Sequence, residues 1–214
     1  PVYDRGSLQL SEADCRAKEA EGISPHWRFR LDHETAISWE DGIRGSQKFD
    51  PAQLSDPVIR RADGSWLYML PSAVDDLDMG VTDVLRGEDH VSNTAVQIQM
   101  FTALIAAQYQ AQELPSFTHE ALLVGSEGKL SKRLGSLGCD AFRERDIEPE
   151  AVIALMARLG TSLPVEPIAD RKVLLDTFDL STFGRAPARF DDAELERINT
   201  ALVHKLDYAD IASR

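Results

Sequence analysis

The sequence contains little cysteine: Cys15 and Cys139 are the two that occur among its 214 residues. Two thiols cannot build a disulfide framework, and alone they cannot supply the four ligands of a structural zinc site. No apolar run comes near the roughly 20 residues that a membrane-spanning helix needs, and no charged and then apolar leader precedes the first predicted helix. We therefore expect a cytoplasmic protein with no membrane partner.

Positive charge is also scarce, since 23 Lys and Arg residues stand against 36 Asp and Glu residues and give a formal net charge of −13. Nucleic-acid binding depends on cations that displace counterions from phosphate groups. Any such contact must therefore use local basic clusters, which occur at residues 60–61, at residues 129–133, and at Arg185 with Arg189. For the first and third clusters, the alternative is solvated surface charge without a ligand.

The spacing of apolar residues predicts a β-strand, an α-helix and a second β-strand in the middle of the chain. Strand-like runs occur at residues 81–85 and 121–124, and residues 93–108 between them carry apolar side chains at helical spacing. Elements in this order form the βαβ crossover of a parallel sheet. Asp63-Gly64 is a hairpin signal that leads into this sheet. We therefore predict an α/β fold.

Capping residues predict several helix boundaries. Ser11 is a suitable N-cap and Gly22 a suitable stop for a short charged helix. Pro149 fits the first turn of a helix that ends at Gly160. Asp191-Asp192 begins a further helix in the last part of the chain.

Changes in these patterns divide the chain into three predicted parts. Residues 1–62 contain short strands and a charged helix and form a small α+β part, while residues 63–138 contain the βαβ crossover. Residues 139–214 are mainly helical. The middle part therefore carries the open α/β sheet, and ligands of such sheets bind where the strands end.

The segment Gly128-Lys129-Leu130-Ser131-Lys132-Arg133 follows an apolar strand-like run. Such a loop can place two ammonium groups and a guanidinium group on one polyphosphate. The alternative is a solvated basic turn. The order of strand, glycine, basic residues and a second glycine favours nucleotide binding.

The segment Arg86-Gly87-Glu88-Asp89-His90 also follows a strand-like run. An arginine at this position can form a bidentate contact with a carboxylate, and its acidic and histidine neighbours can orient it or accept from ribose hydroxyls. On chemistry alone, a turn with a local Arg-carboxylate pair remains the alternative.

Together the two segments resemble the catalytic half of class I aminoacyl-tRNA synthetases, specifically bacterial-type glutamyl-tRNA synthetases, in which residues 129–133 correspond to the KMSKS loop. The similarity extends over nearly the whole chain, at Tyr3, residues 41–45, residues 56–64 and Phe183-Gly184. One departure concerns the HIGH motif, because residues 24–27 and 117–120 contain histidine but lack its pattern. We therefore expect a fragment without the N-terminal half and without the anticodon-binding domain, inactive by itself.

The resemblance implies roles for the three predicted parts. Residues 1–62 correspond to the inserted segment that meets the tRNA acceptor end. Residues 63–138 correspond to the second half of the doubly wound, Rossmann-like catalytic domain, and residues 139–214 to helices that contact the inner stem of the tRNA.

The resemblance also implies a glutamate-binding set. Arg86 would bind the side-chain carboxylate of glutamate and Tyr68 would contact the same substrate. Residues 68–78 are similar to the amino-acid-binding strand and turn of the family. Ser72 stands where many members have asparagine, so its contact would have an altered geometry.

For ATP, the resemblance implies that Lys132 makes the main phosphate contact and Lys129 the second, with Ser131 and Arg133 in support. Asp89 and His90 would lie near the ATP. In the family's reaction the glutamate carboxylate attacks the α-phosphorus and pyrophosphate leaves, so the two lysines are the predicted catalytic residues. Mg²⁺ would arrive with ATP.

No protein-bound metal is predicted. Some members carry a structural zinc in the inserted segment, but Ser7 stands where a zinc-binding cysteine would be, and His26 and His33 have no thiolate companions. The acidic residues Asp75, Asp76 and Asp78 are interpreted as helix-capping and solubilising groups.

The expected partners are tRNA, L-glutamate and ATP, without DNA. Whether glutamine tRNA is also charged stays open. Two alternatives differ in class from a ligase for the tRNA 3′ end. One is a non-catalytic tRNA- or protein-binding module, and the other is a relative that glutamylates a modified tRNA base. The helices after Gly138 count against the second alternative.

Overall fold

The computed structural model describes residues 2–109, 111–125, 128–129 and 138–209, with the backbone alone at residues 128 and 129. The chain divides into two compact units, Pro1–His119 and Glu120–Arg214. Each unit has its own secondary structure and core. The predicted division into three parts stays a prediction.

The first unit contains three α-helices and six β-strands. The helices are α1 (Glu12–Ala20), α2 (Met69–Asp78) and α3 (Val91–Ala107). The strands are β1 (Trp27–Arg28), β2 (Ile37–Asp41), β3 (Gly45–Phe49), β4 (Val58–Arg60), β5 (Asp83–Gly87) and β6 (Ser116–Glu120). Short 3₁₀ turns cover Gly6–Gln9, Pro51–Gln53 and Glu88–His90.

The strands of this unit form two sheets. In the larger sheet the order is β3-β2-β6-β5, with β2 antiparallel to β3 and parallel to β6. The smaller sheet pairs β1 with β4 antiparallel. The mixed sheet agrees with the predicted α/β class.

The end of β2 approaches β6 closely because Gly42 has no side chain. A Cβ atom at Gly42 would lie 2.3 Å from the Thr118 Oγ1 atom, which is shorter than any van der Waals contact. The Gly42 amide donates to the Phe117 carbonyl at 3.0 Å. This approach brings Asp41, the last residue of β2, next to the polar side chains of β6.

The core of the first unit lies between the larger sheet and helices α2 and α3. Phe101 of α3 packs against Phe117 of β6, with ring centroids 6.1 Å apart. Helix α2 contributes Ala73 and Leu77, four residues apart on one helical face. Burial of this face fixes both helices against the sheet.

The second unit contains helices α4 (Cys139–Glu144), α5 (Pro149–Met156), α6 (Arg171–Asp176) and α7 (Asp192–Val203). Its strands are β7 (Leu123–Gly125), β8 (Gly128–Lys129) and β9 (Ala188–Arg189), and a 3₁₀ turn covers Leu180–Thr182. The strand order is β8-β7-β9, with β7 antiparallel to β8 and parallel to β9. Its core joins α5 to α7 through Ala151, Ala154, Leu155, Leu195, Ile198 and Leu202.

Most predicted helix boundaries are confirmed. Ser11 caps α1 in a capping box with Asp14, and Gly22 follows the helix at φ +86°. Pro149 is the first residue of α5, and the Asp191 side chain accepts from the Ala193 amide at the start of α7. Helix α3 agrees with the predicted helix over residues 93–108 to within two residues at its start.

Two predictions about individual elements are wrong. Within residues 68–78, Met69–Asp78 form helix α2 rather than a strand and turn, and Pro71 lies in the first helical turn, where proline is tolerated. The strand that directly follows α3 is β6, which ends at Glu120, whereas the predicted run 121–124 overlaps the next strand, β7. The polar residues Thr118 and His119 concealed β6 from the apolar pattern, although both are buried.

Among the described residues, the helices are too short or too polar to cross a membrane.

Candidate active site around Arg86

Arg86 is held at the end of β5 by two uncharged groups. Its Nη2 atom donates to the Thr94 hydroxyl of α3, and its Nε atom donates to His119 Nε2 at 3.4 Å. Among the described residues, no carboxylate lies within 4.0 Å of the guanidinium group. The half-buried side chain therefore has a fixed orientation, and its positive charge is in direct contact with uncharged groups.

Burial lowers the pKa of Arg86 from its ordinary value, while Tyr68 and Asp76 act in the opposite direction. An arginine remains protonated in proteins, so this shift measures the cost of holding the charge away from water. An anionic ligand would reduce that cost, because it would bring a negative charge into direct contact with the guanidinium group. The predicted Arg86 site is thus well suited to a carboxylate.

Tyr68, His90 and Asn93 form a polar cluster before and at the start of α3. Asn93 Nδ2 donates to the Tyr68 hydroxyl at 2.5 Å, and the same hydroxyl lies 3.2 Å from His90 Nδ1. The Tyr68 and His90 rings meet edge to face with centroids 6.0 Å apart. The structure thus brings together two predicted site residues, Tyr68 and His90, and adds Asn93, which the motif analysis did not single out.

The Ser72 hydroxyl contacts the side chain of Gln97 in α3. Its hydroxyl accepts from Gln97 Nε2 at 2.9 Å and donates to the Met69 carbonyl at 3.4 Å. Gln97 is almost fully buried, and its Oε1 atom has no partner among the described residues. The Ser72 hydroxyl therefore positions a glutamine of α3 and does not contact Arg86.

The acidic residues that follow Arg86 do not pair with it. Glu88 accepts from Arg44 Nη1 at 2.6 Å. This ion pair joins the 3₁₀ turn after β5 to the turn after β2. Asp89 is exposed in the 3₁₀ turn that leads into α3. Glu88, one of the three neighbours that could orient Arg86, is paired with Arg44 of the turn after β2 instead.

Asp41 and His119 form a buried pair behind Arg86 that sequence reasoning missed. Asp41 Oδ2 pairs with His119 Nδ1, and both side chains are fully shielded from solvent. Asp41 Oδ1 accepts from the backbone amides of His119, Ile43 and Arg44 at 3.0–3.1 Å. The two partners are 78 residues apart in the chain, so no local motif could reveal them.

The pKa values of this pair shift in ways that favour an ionised carboxyl and a neutral imidazole. Burial alone would raise the pKa of Asp41, but hydrogen bonds from His119 and from backbone amides lower it below its ordinary value. Burial lowers the pKa of His119, and the nearby charges of Arg86 and Arg44 add to this effect against the attraction of Asp41. The buried pair thus carries one negative charge.

The predicted phosphate-binding loop lies largely outside the described residues. Lys129 belongs to β8, where its backbone pairs with Val124, and its side chain is not described. Ser131, Lys132 and Arg133 lie outside the described residues. Their roles stay predictions.

Among the described residues, no group of three or more His, Cys, Asp and Glu side chains could hold a metal ion. In the segment compared with the zinc site, the Ser7 hydroxyl pairs with the Tyr3 hydroxyl. In the acidic segment, Asp78 accepts from the Tyr109 hydroxyl at 2.5 Å. The absence of protein-bound zinc stays a prediction.

Comparison with known families and proteins gives a consistent result. Residues 1–197 match the family model for tRNA synthetases class I (E and Q), catalytic domain. Glutamate-tRNA ligase 2 of Erythrobacter litoralis is 77% identical over 215 residues, which cover 100% of this chain and 48% of that protein. Glutamate-tRNA ligase 1 of Novosphingobium aromaticivorans is 68% identical, with coverage of 99% and 47%. The chain thus spans about half the length of the curated relatives it matches.

Solved structures are similar as well. A glutamate tRNA ligase from Elizabethkingia meningosepticum, in complex with its amino acid, superimposes with a TM-score of 0.79 at 26% identity. The match covers 96% of this chain and 44% of that one. The glutamate-tRNA synthetase from Elizabethkingia anophelis gives a TM-score of 0.80 at 26% identity, with coverage of 97% and 45%.

Proposed function

The chain belongs to the catalytic-domain family of the class I tRNA synthetases (E and Q), and from this premise we propose that it is part of a glutamate-tRNA ligase. The parent enzyme would activate glutamate with ATP, release pyrophosphate and transfer the glutamyl group to the tRNA 3′ end. Similarity to glutamate-tRNA ligases over the whole chain supports this choice of amino acid.

The observation that carries the proposal is the state of Arg86. Its guanidinium group is bound by a threonine hydroxyl and an imidazole, and no carboxylate among the described residues contacts it. The side-chain carboxylate of L-glutamate would supply that contact through a charge-assisted hydrogen bond. Tyr68, whose hydroxyl is fixed by Asn93 at 2.5 Å, would contact the same substrate. Ser72 would act through Gln97, since its hydroxyl already bonds that side chain.

For ATP we propose the sites that the sequence motifs indicate. Asp89 and His90 lie at the start of α3 and would contact ATP, while Lys129 and Lys132 would neutralise charge that develops on the phosphates. Ser131 and Arg133 would support the lysines. Mg²⁺ would be carried by ATP, and no zinc would be needed.

The tRNA would contact two regions outside the Arg86 site. Residues 1–62 would meet the acceptor end, and the helices of residues 139–214 would meet the inner stem. The middle part, residues 63–138, would form the second half of the catalytic domain. Such an enzyme would work in the cytoplasm. Because the chain spans about half the length of its relatives, we propose that it does not form glutamyl-adenylate alone.

The test uses a hybrid enzyme, in which this chain replaces the matching segment of the Erythrobacter litoralis glutamate-tRNA ligase 2. The hybrid should charge a total tRNA pool with glutamate. Arg86→Ala and Lys132→Ala should each lower charging by at least about tenfold, since each removes a charged contact worth about 1.5–3 kcal/mol.

Arg16→Ala is the matched control, because Arg16 lies on α1 with 75% of its side chain exposed. Because residues 1–62 are proposed to meet the tRNA, the control is read from glutamate alone: Arg16→Ala should leave the KM for glutamate unchanged. If the folded hybrid does not charge tRNA, the ligase proposal fails and a non-catalytic binding module becomes the better hypothesis. If the 214-residue chain alone forms glutamyl-adenylate at the rate of the hybrid, the proposed inactivity of this piece is wrong.

A further inference from the structure

The side chains behind Arg86 form one connected line of hydrogen bonds from the sheet to the guanidinium group. Asp41, at the end of β2, pairs with Nδ1 of His119 in β6. Nε2 of His119 lies 2.8 Å from the Thr94 hydroxyl and 3.4 Å from Arg86 Nε. Thr94 in turn accepts from Arg86 Nη2. Each member of this line contacts the next, and the line ends at the cation.

The contacts of His119 decide where its proton lies. A guanidinium group has donors and no acceptor, so the ring nitrogen that faces Arg86 must present a lone pair. That nitrogen is Nε2, and the proton of the neutral ring is therefore on Nδ1. The Nδ1–H group then donates to Asp41, whose carboxylate can only accept when it is ionised.

The other protonation states would disturb Arg86. A proton on Nε2 would point at the Arg86 Nε–H group, so two donors would face each other. A protonated imidazole would add a second positive charge beside the guanidinium group. Asp41 prevents the first arrangement because it accepts at Nδ1, and it is itself fixed by three backbone amides.

We propose that Asp41 and His119 are positioning residues for Arg86, and that Asp41 fixes the Nδ1–H tautomer of His119 so that Nε2 accepts from the guanidinium group. The identification of glutamate as the ligand of Arg86 rests on the proposed function. The geometry of the line does not rest on the proposed function. It assigns a carboxylate ligand to Arg86, whichever acid carries that carboxylate. Both positioning side chains are shielded from solvent, so they would act on the ligand through Arg86.

The decisive variant is Asp41→Asn. An asparagine can keep a carbonyl oxygen toward the backbone amides, but its amide group would donate to His119 Nδ1. The imidazole would then carry its proton on Nε2, against Arg86. In the hybrid enzyme the KM for glutamate should rise by at least about tenfold, the scale of a lost hydrogen bond to a charged group, while the KM for ATP stays unchanged.

The matched variant is His119→Gln. A glutamine can place its carbonyl oxygen where Nε2 lies, and it has no atom equivalent to Nδ1 that Asp41 could control. The KM for glutamate should therefore rise by less than in Asp41→Asn. Adding Asp41→Asn to His119→Gln should produce little further change. If Asp41 acted only by holding the turn after β2, the loss would be equal in both backgrounds, and the proposal would be overturned.

A second measurement on the 214-residue chain does not depend on activity. Nitrogen-15 NMR at pH 7.5 should show His119 as the Nδ1–H tautomer and Arg86 Nε–H as protected from exchange. Protection should be lost in Asp41→Asn and retained in His119→Gln. An Nε2–H tautomer, a protonated ring, or equal protection in Asp41→Asn would overturn the proposal. Failure of the hybrid to charge tRNA would instead count against the ligase function alone.

Discussion

The two units of the chain bury different kinds of side chain. In the first unit the core includes six polar or charged residues, namely Asp41, Asp56, Thr94, Gln97, Thr118 and His119. In the described part of the second unit, Arg158 is the single buried residue of this kind. The helices α5 and α7 of the second unit instead pack through alanine, leucine and isoleucine side chains.

This difference indicates where the first unit uses its structure for chemistry. A buried polar group lowers the stability of a fold unless it is hydrogen-bonded. An apolar core stabilises a fold without that requirement. Three of the six residues, Asp41, Thr94 and His119, belong to the line that ends at Arg86. Asp56 has a separate role, since it accepts from Arg5 Nε and Nη2 at 2.8 Å each.

The largest expected effect on stability lies in the second unit. Leu155→Ala should lower the free energy of unfolding by about 2–5 kcal/mol, because it leaves a cavity in the core between α5 and α7. Leu155 is 1% exposed. Chemical denaturation followed by circular dichroism measures the loss.

Met156→Ala is the control on the same helix, since Met156 is 43% exposed. It should change the unfolding free energy by less than about 1 kcal/mol. Equal losses for the two variants would mean that the α5 and α7 interface is not the core of this unit.

A smaller loss of stability is expected in the first unit, together with a loss of function. Thr94→Val keeps the shape of the side chain but removes the hydroxyl that contacts Arg86 and His119. The unfolding free energy should fall by about 1–3 kcal/mol, and the KM of the hybrid for glutamate should rise.

The control for this variant is Thr102→Val on the same helix. Thr102 is exposed, and its hydroxyl donates to the Ile98 carbonyl at 2.8 Å. It should alter neither stability nor KM to a comparable extent. A Thr94→Val variant as active as Thr102→Val would show that the hydroxyl does not position Arg86.

The smallest expected effect is a dependence of stability on pH. The pKa of His119 is lowered in the native state by burial and by the charges of Arg86 and Arg44, against the attraction of Asp41. Its stabilising contribution is therefore complete above the ordinary value of 6.5 and is lost as pH falls from 6.5 toward the lower native pKa. The unfolding midpoint should decrease between pH 7.5 and pH 5.

In His119→Gln the unfolding midpoint should decrease less over this pH range, because the variant lacks this imidazole. The other four histidines remain in both proteins, so they do not account for the difference. The lowered pKa of Asp41 affects stability in a separate pH range, because stability is lost there only as the pH falls below the ordinary pKa value of 3.8. Identical pH profiles for the two proteins would contradict the neutral state assigned to His119.

Local signals in the sequence predicted much of the secondary structure. Ser11, Pro149 and Asp191 mark helix starts through capping and proline geometry, which depend on neighbouring residues alone. Helix α3, which has 17 residues, was predicted from apolar side chains that recur at helical spacing. The predicted strand over residues 81–85 overlaps β5, which ends two residues later at Gly87 and includes Arg86.

Other features could not be predicted because they depend on contacts between distant residues. Strand β6 contains Thr118 and His119, which look like surface residues until β2 and Gly42 are placed beside them. The Asp41 and His119 pair is likewise invisible to any local motif. Glu88 was expected near Arg86, but the turn after β2 brings Arg44 to it instead.

The most direct measurement compares two amino acids in the hybrid enzyme. ATP–pyrophosphate exchange, with a total tRNA pool present, should be measured with L-glutamate and with L-glutamine for Arg86→Ala and Arg16→Ala. We expect Arg86→Ala to lower kcat/KM for glutamate by about tenfold to hundredfold while the value for glutamine changes little, because the charge of the carboxylate is what Arg86 binds. An equal decrease for both amino acids would contradict the assignment of Arg86 to the glutamate side chain.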